Sequence, residues 1–139
     1  MVHQVLFFSR SGNTRKLADA IAGELGVKAV DVKTAAIAPG DGVIFLGSGC
    51  YAAMLDGAMI NFIGKNDFTG RKVAVFGTSA SGRGKEVRAM EEALKQKGAK
   101  VIGSYHCKGQ WLWIIRRGHP NEEDLAGARK LGREAAEFE

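Results

Sequence analysis

No apolar run in this 139-residue chain approaches the length needed to cross a bilayer. The longest, such as Gly42-Val43-Ile44-Phe45-Leu46-Gly47, fall far short of the about 20 residues that a spanning helix requires. The start, Met1-Val2-His3-Gln4, lacks the charged region of a secretory signal. Both absences make the cytoplasm the expected location, with no membrane insertion. Cysteine is scarce: Cys50 and Cys107 show neither paired metal-ligand spacing nor the density of a secreted disulfide scaffold, so they read as reduced thiols. Six positions after them stand Asp56 and Trp113, where a small tyrosine phosphatase needs an arginine. Histidine is equally sparse, and His3, His106 and His119 are scattered. No metal ligands and no catalytic acid–base set are therefore expected.

The common nucleotide motifs are missing too. No Gly-x-Gly-x-x-Gly follows the first apolar run, Val5-Leu6-Phe7-Phe8, as a dinucleotide-binding turn requires. Gly77-Thr78-Ser79-Ala80-Ser81-Gly82 approaches a triphosphate loop, but Arg83 takes the place of its lysine. A receiver domain needs acidic residues after the first strand, where this chain has Ser9 and Arg10. An acidic excess is also lacking, since the net charge is +5. Residues 1–70 balance six basic against six acidic side chains, so the whole excess lies in the second half; from Arg83 to Arg117 nine Lys or Arg face three Glu. Such an excess either solvates the surface or forms a salt-sensitive docking field for an acidic partner. Nucleic acid is not expected, because no binding motif is present and the two tryptophans sit beside a single tight basic pair.

What is present alternates strand with helix. Gln4 to Phe8 is β-rich; Leu17, Ala18, Ile21, Ala22 and Leu25 then follow a helical period until Gly26 stops it. Val27 to Val32 reads as a short strand, and Lys33 to Asp41, with Pro39 and Gly40, as a connection without a long helix. Val43 to Leu46 and Lys72 to Phe76 are continuous apolar strands of the kind buried on both faces. Met59, Ile60, Phe62 and Ile63 mark a short helix between them; Val87, Met90 and Leu94 mark a longer one closed by Gly98. Val101 to His106 is the fifth strand. The last helix starts after Pro120, capped by Asn121, with Glu122, Glu123 and Asp124 in its first turn and Leu125, Ala128, Gly132 and Ala135 facing inward. One domain spanning residues 1–139 is expected, able to bury about two thirds of its unfolded surface. Parallel neighbours need right-handed crossovers, so the pattern predicts an α/β fold: a parallel sheet with helices on both faces.

The most informative stretch is Ser9-Arg10-Ser11-Gly12-Asn13-Thr14, between the first strand and the first helix. A hydroxyl- and glycine-rich loop there is a phosphate cradle: backbone N–H groups point outward, Ser9, Ser11 and Thr14 add O–H donors, and the helix start favours a dianion. No lysine is needed.

This hexapeptide resembles the phosphate loop of the flavodoxin family, whose members bind flavin mononucleotide (FMN). The similarity extends over nearly the whole chain. It implies the flavodoxin-like three-layer fold, a five-stranded parallel sheet in the order 2-1-3-4-5, with a ligand site beyond the carboxyl ends of the strands where the order reverses. It also implies that the isoalloxazine lies between loops after the third and fourth strands, here Gly47-Ser48-Gly49-Cys50-Tyr51 and Gly77-Thr78-Ser79-Ala80-Ser81-Gly82. The expected FMN-binding residues are then Ser9, Arg10, Ser11, Gly12, Asn13 and Thr14 at the phosphate. Around the ring they are Ser48, Gly49, Cys50, Tyr51, Gly77, Thr78, Ser79, Ala80 and Gly82. Tyr51 is the candidate for stacking, and Gly49 and Gly77 would let backbone approach the ring. Flavodoxins commonly place an aromatic residue in each flavin loop and are strongly acidic; this chain has Tyr51 alone and is basic. Trp111-Leu112-Trp113-Ile114-Ile115-Arg116-Arg117 follows the fifth strand and reads either as a docking lip at the flavin edge or as core under the last helix. The expected function is electron transfer between a reductase and an acceptor enzyme, with redox partners presenting an acidic docking surface. A small FMN-dependent reductase acting on a quinone, porphyrin or similar flat substrate is the alternative, and a flavin-free interaction module a third.

Overall fold

A computed structural model describes residues 2–10, 12–51, 54–55, 57–79, 84–108 and 120–138. The strands are β1 (Gln4–Phe8), β2 (Ala29–Asp31), β3 (Ile44–Tyr51), β4 (Met54–Leu55), β5 (Lys72–Ser79) and β6 (Lys100–Lys108). The helices are α1 (Asn13–Leu25), α2 (Gly57–Lys65), α3 (Lys85–Gln96) and α4 (Glu122–Ala136). Five strands pair in parallel in the order β2-β1-β3-β5-β6, the expected 2-1-3-4-5 arrangement; the two-residue β4 is an addition that pairs antiparallel with β3.

Side chains alternate across a strand, so each continuous apolar run supplies both faces of the sheet. Val5 and Phe7 of β1, Phe45 of β3, and Ala74 and Phe76 of β5 pack with Leu17, Ala18 and Ile21 of α1 and with Ala128, Leu131 and Ala135 of α4. Their neighbours Leu6 and Phe8, Ile44 and Leu46, and Val73 and Val75 face the other way, onto Met59, Phe62 and Ile63 of α2 and Val87, Met90 and Leu94 of α3. The three layers follow from that parity. Ile60, on the opposite side of α2 from this cluster, is exposed.

The ends of the elements match the sequence at their punctuation. Gly26 closes α1 in the left-handed conformation, its N–H donating to the Ala22 carbonyl. Asn121 caps α4 reciprocally: its side chain accepts from the Asp124 N–H at 2.9 Å, and Asp124 accepts from the Asn121 N–H at 2.9 Å. The helix-free connection after β2 is held by Gln4, which donates to the Ala36 carbonyl and accepts from the Ala38 N–H, each at 2.9 Å. The second strand is shorter than expected because it is an edge strand paired only with β1.

Strand order reverses between β1 and β3, and the first turns of α1 and α3 lie at the carboxyl ends of the strands, the edge at which such sheets hold their ligands. Replacing the cap, Asn121→Ala, is expected to lower stability by about 1 kcal/mol. Chemical denaturation measures this, and an unchanged midpoint would mean that the box contributes nothing.

Candidate functional site

The site begins where β1 turns into α1. The Gly12 N–H donates to Ser9 Oγ at 3.0 Å, closing a tight turn. Gly12 has φ +89°, a left-handed conformation that strains any residue with a Cβ. Its carbonyl accepts the first helical bond, from the Lys16 N–H at 3.1 Å. Among the described residues no side chain caps this helix, and its first turn holds no acidic residue. The first-turn N–H groups of a helix have no intrahelical acceptor, and here the positive end of the dipole meets no carboxylate of its own turn. By contrast, α4 fills its start with Asn121 and three acids.

Thr14, in that uncapped turn, is buried and lies 3.0 Å, Oγ1 to Oγ1, from the equally buried Thr78 of β5. A bond across 64 residues of sequence thus fixes the start of α1 against the end of β5. A hydroxyl offers one donor and two acceptor positions, so one threonine of the pair keeps a proton to donate elsewhere.

Of the two glycine-rich segments expected to be loops, Gly47 to Tyr51 and Gly77 to Ser79 are strand, and Ala80 to Gly82 lie outside the described residues. The β3–β5 ladder continues through Ser48↔Gly77 and Gly49↔Thr78, and β5–β6 continues to Ser79↔Lys108. Strand partners on both sides of β5 supply the hydrogen bonds that keep these small residues extended. At its end β3 is met by β4, with Cys50 opposite Leu55 and Tyr51 opposite Met54.

Gly77 serves packing as well. A Cβ there would fall 2.5 Å from Glu86 Cγ, 2.7 Å from Glu86 Oε1 and 2.8 Å from the Ser48 carbonyl oxygen, so the absence of a side chain admits Glu86. Glu86 is 0 % exposed, and neither of its carboxylate oxygens has a hydrogen-bond partner of acceptable geometry among the described residues. Burial raises its pKa, against the opposing pull of its own peptide N–H and of Arg88. Cys107, opposite Thr78 in β6, is pushed up to about 12 by burial, with Asp124 and Glu86 adding to the effect. It is therefore a protonated thiol at neutral pH, unsuited to nucleophilic or redox attack.

The structure thus brings Ser9, Gly12, Asn13, Thr14, Ser48, Gly49, Gly77 and Thr78 to one edge. For Cys50, Tyr51 and Ser79 it describes the backbone at that edge; Ser11, Ala80, Gly82 and the 111–117 segment lie outside the described residues. The basic second half is split. Lys95 and Lys97 lie at the end of α3, and Lys100 starts β6 beside Lys72, all at the opposite end of the sheet; Lys85 and Lys108 lie at the site end. Glu86 was missed among the candidates, although its spacing with Met90 and Leu94, four and eight residues on, places it on the buried face of α3.

A doubly wound parallel sheet with an uncapped, hydroxyl-rich helix start at its switch point defines a class of α/β proteins that hold phosphate-bearing ligands. The flavodoxin domain model matches residues 4–111, and the chain belongs to the flavodoxin family. An uncharacterized protein of Methanocaldococcus jannaschii is 28% identical over 132 residues, covering 87% of this chain and 88% of its own. Among solved structures, a flavodoxin from the domain Archaea superposes with a TM-score of 0.77 at 22% identity, covering 99% of this chain and 97% of its own. The two-electron reduced flavodoxin of Megasphaera elsdenii gives 0.76 at 22% identity, covering 99% and 100%.

The threonine pair is testable by a double-mutant cycle. Thr14→Val and Thr78→Val should each cost about 1–3 kcal/mol, because each leaves a buried hydroxyl alone, and the double variant should lose clearly less than their sum. Strict additivity would show that the two hydroxyls do not interact.

Proposed function

We propose that this chain binds FMN non-covalently at the carboxyl edge of β1, β3 and β5 and carries electrons between a reductase and an acceptor enzyme in the cytoplasm. The observation that carries the reading is the uncapped start of α1, pinned at the switch point by the Thr14–Thr78 bond. The residues present fit a phosphate: Ser9 accepts from the Gly12 N–H and so retains its own O–H to donate. When Thr78 donates to Thr14, the Thr14 proton is likewise available. Ser11, Arg10 and Asn13 complete the donor set by their place in the loop.

The β3–β4 end, with Gly49, Cys50 and Tyr51, and the β5 end, with Thr78 and Ser79, flank the switch point; together with Ala80 and Gly82, which follow in sequence, they would hold the ring. The bound flavin supplies the redox chemistry, accepting one or two electrons, and the protein sets its orientation and electrostatic surroundings. Lys85 and Lys108 at the same edge, followed in sequence by Arg116 and Arg117, suit redox partners with an acidic docking surface.

Fluorescence titration of the apoprotein with FMN and with riboflavin tests the phosphate assignment. Combined Ser11→Ala and Thr14→Ala should weaken FMN about tenfold or more, on the basis of roughly 1.5–3 kcal/mol per bond to an ionised group, while riboflavin changes little. Thr14→Ser should retain FMN affinity. Equal losses for both ligands would move the phosphate elsewhere, and a wild-type protein that binds no FMN would end the proposal.

A further inference from the structure

Glu86 is the one buried carboxylate among the described residues, and it lies at the edge assigned to the flavin. Its side chain occupies the space beside Gly77 and the Ser48 carbonyl, one residue along β5 from Thr78, whose hydroxyl meets the phosphate-loop helix. Among the described residues, no side chain hydrogen-bonds to its carboxylate oxygens. From its own helix, its own peptide N–H and the exposed Arg88 favour the charged form, and burial outweighs both. From β6 come the protonated thiol of Cys107 and, packed against Gly84 at the start of α3, the imidazole of His106. From α4, Asp124 adds negative charge at Cys107. From β3 and β5, Ser48 and Gly77 bring no ionisable group. An unpaired carboxylate buried in such surroundings is costly, whereas the protonated acid is tolerated.

We propose that Glu86, lodged against Gly77 and Ser48, is a positioning residue that holds a proton beneath the flavin site, and that this proton is linked to binding of the flavin phosphate. The inference rests on the FMN reading above. Neutral Glu86 is compatible with an anionic nucleotide at the start of α1, across the sheet from it. Ionised Glu86 opposes it, both by repulsion and by pulling the first turn of α3 and the end of β5 toward water. Occupancy by the anion therefore strengthens the hold on the proton, and loss of the proton weakens the anion.

The signs follow from the raised pKa. Between the ordinary glutamate value of 4.5 and the higher folded value, the folded state binds more protons than the unfolded one, so stability falls as pH rises through that window and stays lowered above it. Over the pH range where free and bound proteins differ in protonation, FMN affinity falls as pH rises.

The test compares wild type with Glu86→Gln, which mimics the neutral acid, measuring FMN and riboflavin affinity and apoprotein stability from mildly acidic to mildly alkaline pH. Wild type should lose FMN affinity relative to the variant by roughly tenfold, the effect of one added unit charge within about ten ångströms at an effective dielectric near 20. Titration of the FMN phosphate itself is common to both proteins and cancels in the comparison. Riboflavin, which lacks the phosphate, should show little difference, and the variant should lose the fall in apoprotein stability. Parallel pH profiles for FMN in the two proteins would overturn the linkage while leaving the FMN reading intact. Absence of FMN binding in both would overturn the two together. If Glu86→Gln does not fold, the infrared C=O stretch of a protonated carboxyl in the wild type decides: FMN should shift its disappearance to higher pH, and no shift refutes the proposal.

Discussion

The hydrogen bond between Thr14 and Thr78 is the contact on which the geometry of the functional edge depends. Apolar packing of Leu17 and Ile21 deeper in the core and the Ser9–Gly12 turn also place α1, but neither ties its first turn to β5. Packing fixes a helix against a sheet, but its contacts are non-directional and leave freedom along the axis. A buried hydroxyl pair is directional and leaves an unpaired polar group if it slips. The bond therefore specifies where the open N–H groups of α1 lie relative to the ends of β3 and β5.

The sheet beneath that edge has two different faces. On the side of α1 and α4, Thr78 near the end of β5 is paired with a hydroxyl; on the side of α2 and α3, the missing side chain of Gly77 is replaced by the carboxyl of Glu86. One strand end thus carries a donor-rich environment above and a proton-sensitive acid below. The basic residues add less to this edge than their number in the sequence implies, because a helix that follows a parallel strand carries its later residues back toward the other end of the sheet. Lys95, Lys97 and Lys100 are displaced there together with Lys72, while Lys85 and Lys108 remain.

Much of this was legible because local chemistry and tertiary structure agree. The alternation of Val5, Leu6, Phe7 and Phe8 between two cores, the stop at Gly26 and the reciprocal cap of Asn121 and Asp124 each depend on residues close in sequence. The loop from Ser9 to Gly12 announced itself for the same reason. The limits of β3 and β5 did not, since Gly47 to Tyr51 and Gly77 to Ser79 have the composition of loops, and only their partners on neighbouring strands keep them extended. The threonine bond joins residues 64 apart, beyond any local pattern. Glu86 was visible as part of a buried helical stripe, but a charged residue in the first turn reads by default as a solvated, dipole-favouring acid.

Amide NMR of the apoprotein titrated with FMN tests the central claim most directly, because it locates the ligand as well as detecting it. The largest shifts are expected at the N–H groups of Gly12, Asn13 and Thr14, at Gly49, and at Thr78 and Ser79. A response centred on the groove at the opposite end of the sheet, among Asn66, Thr69, Gln96 and Lys97, would contradict the account.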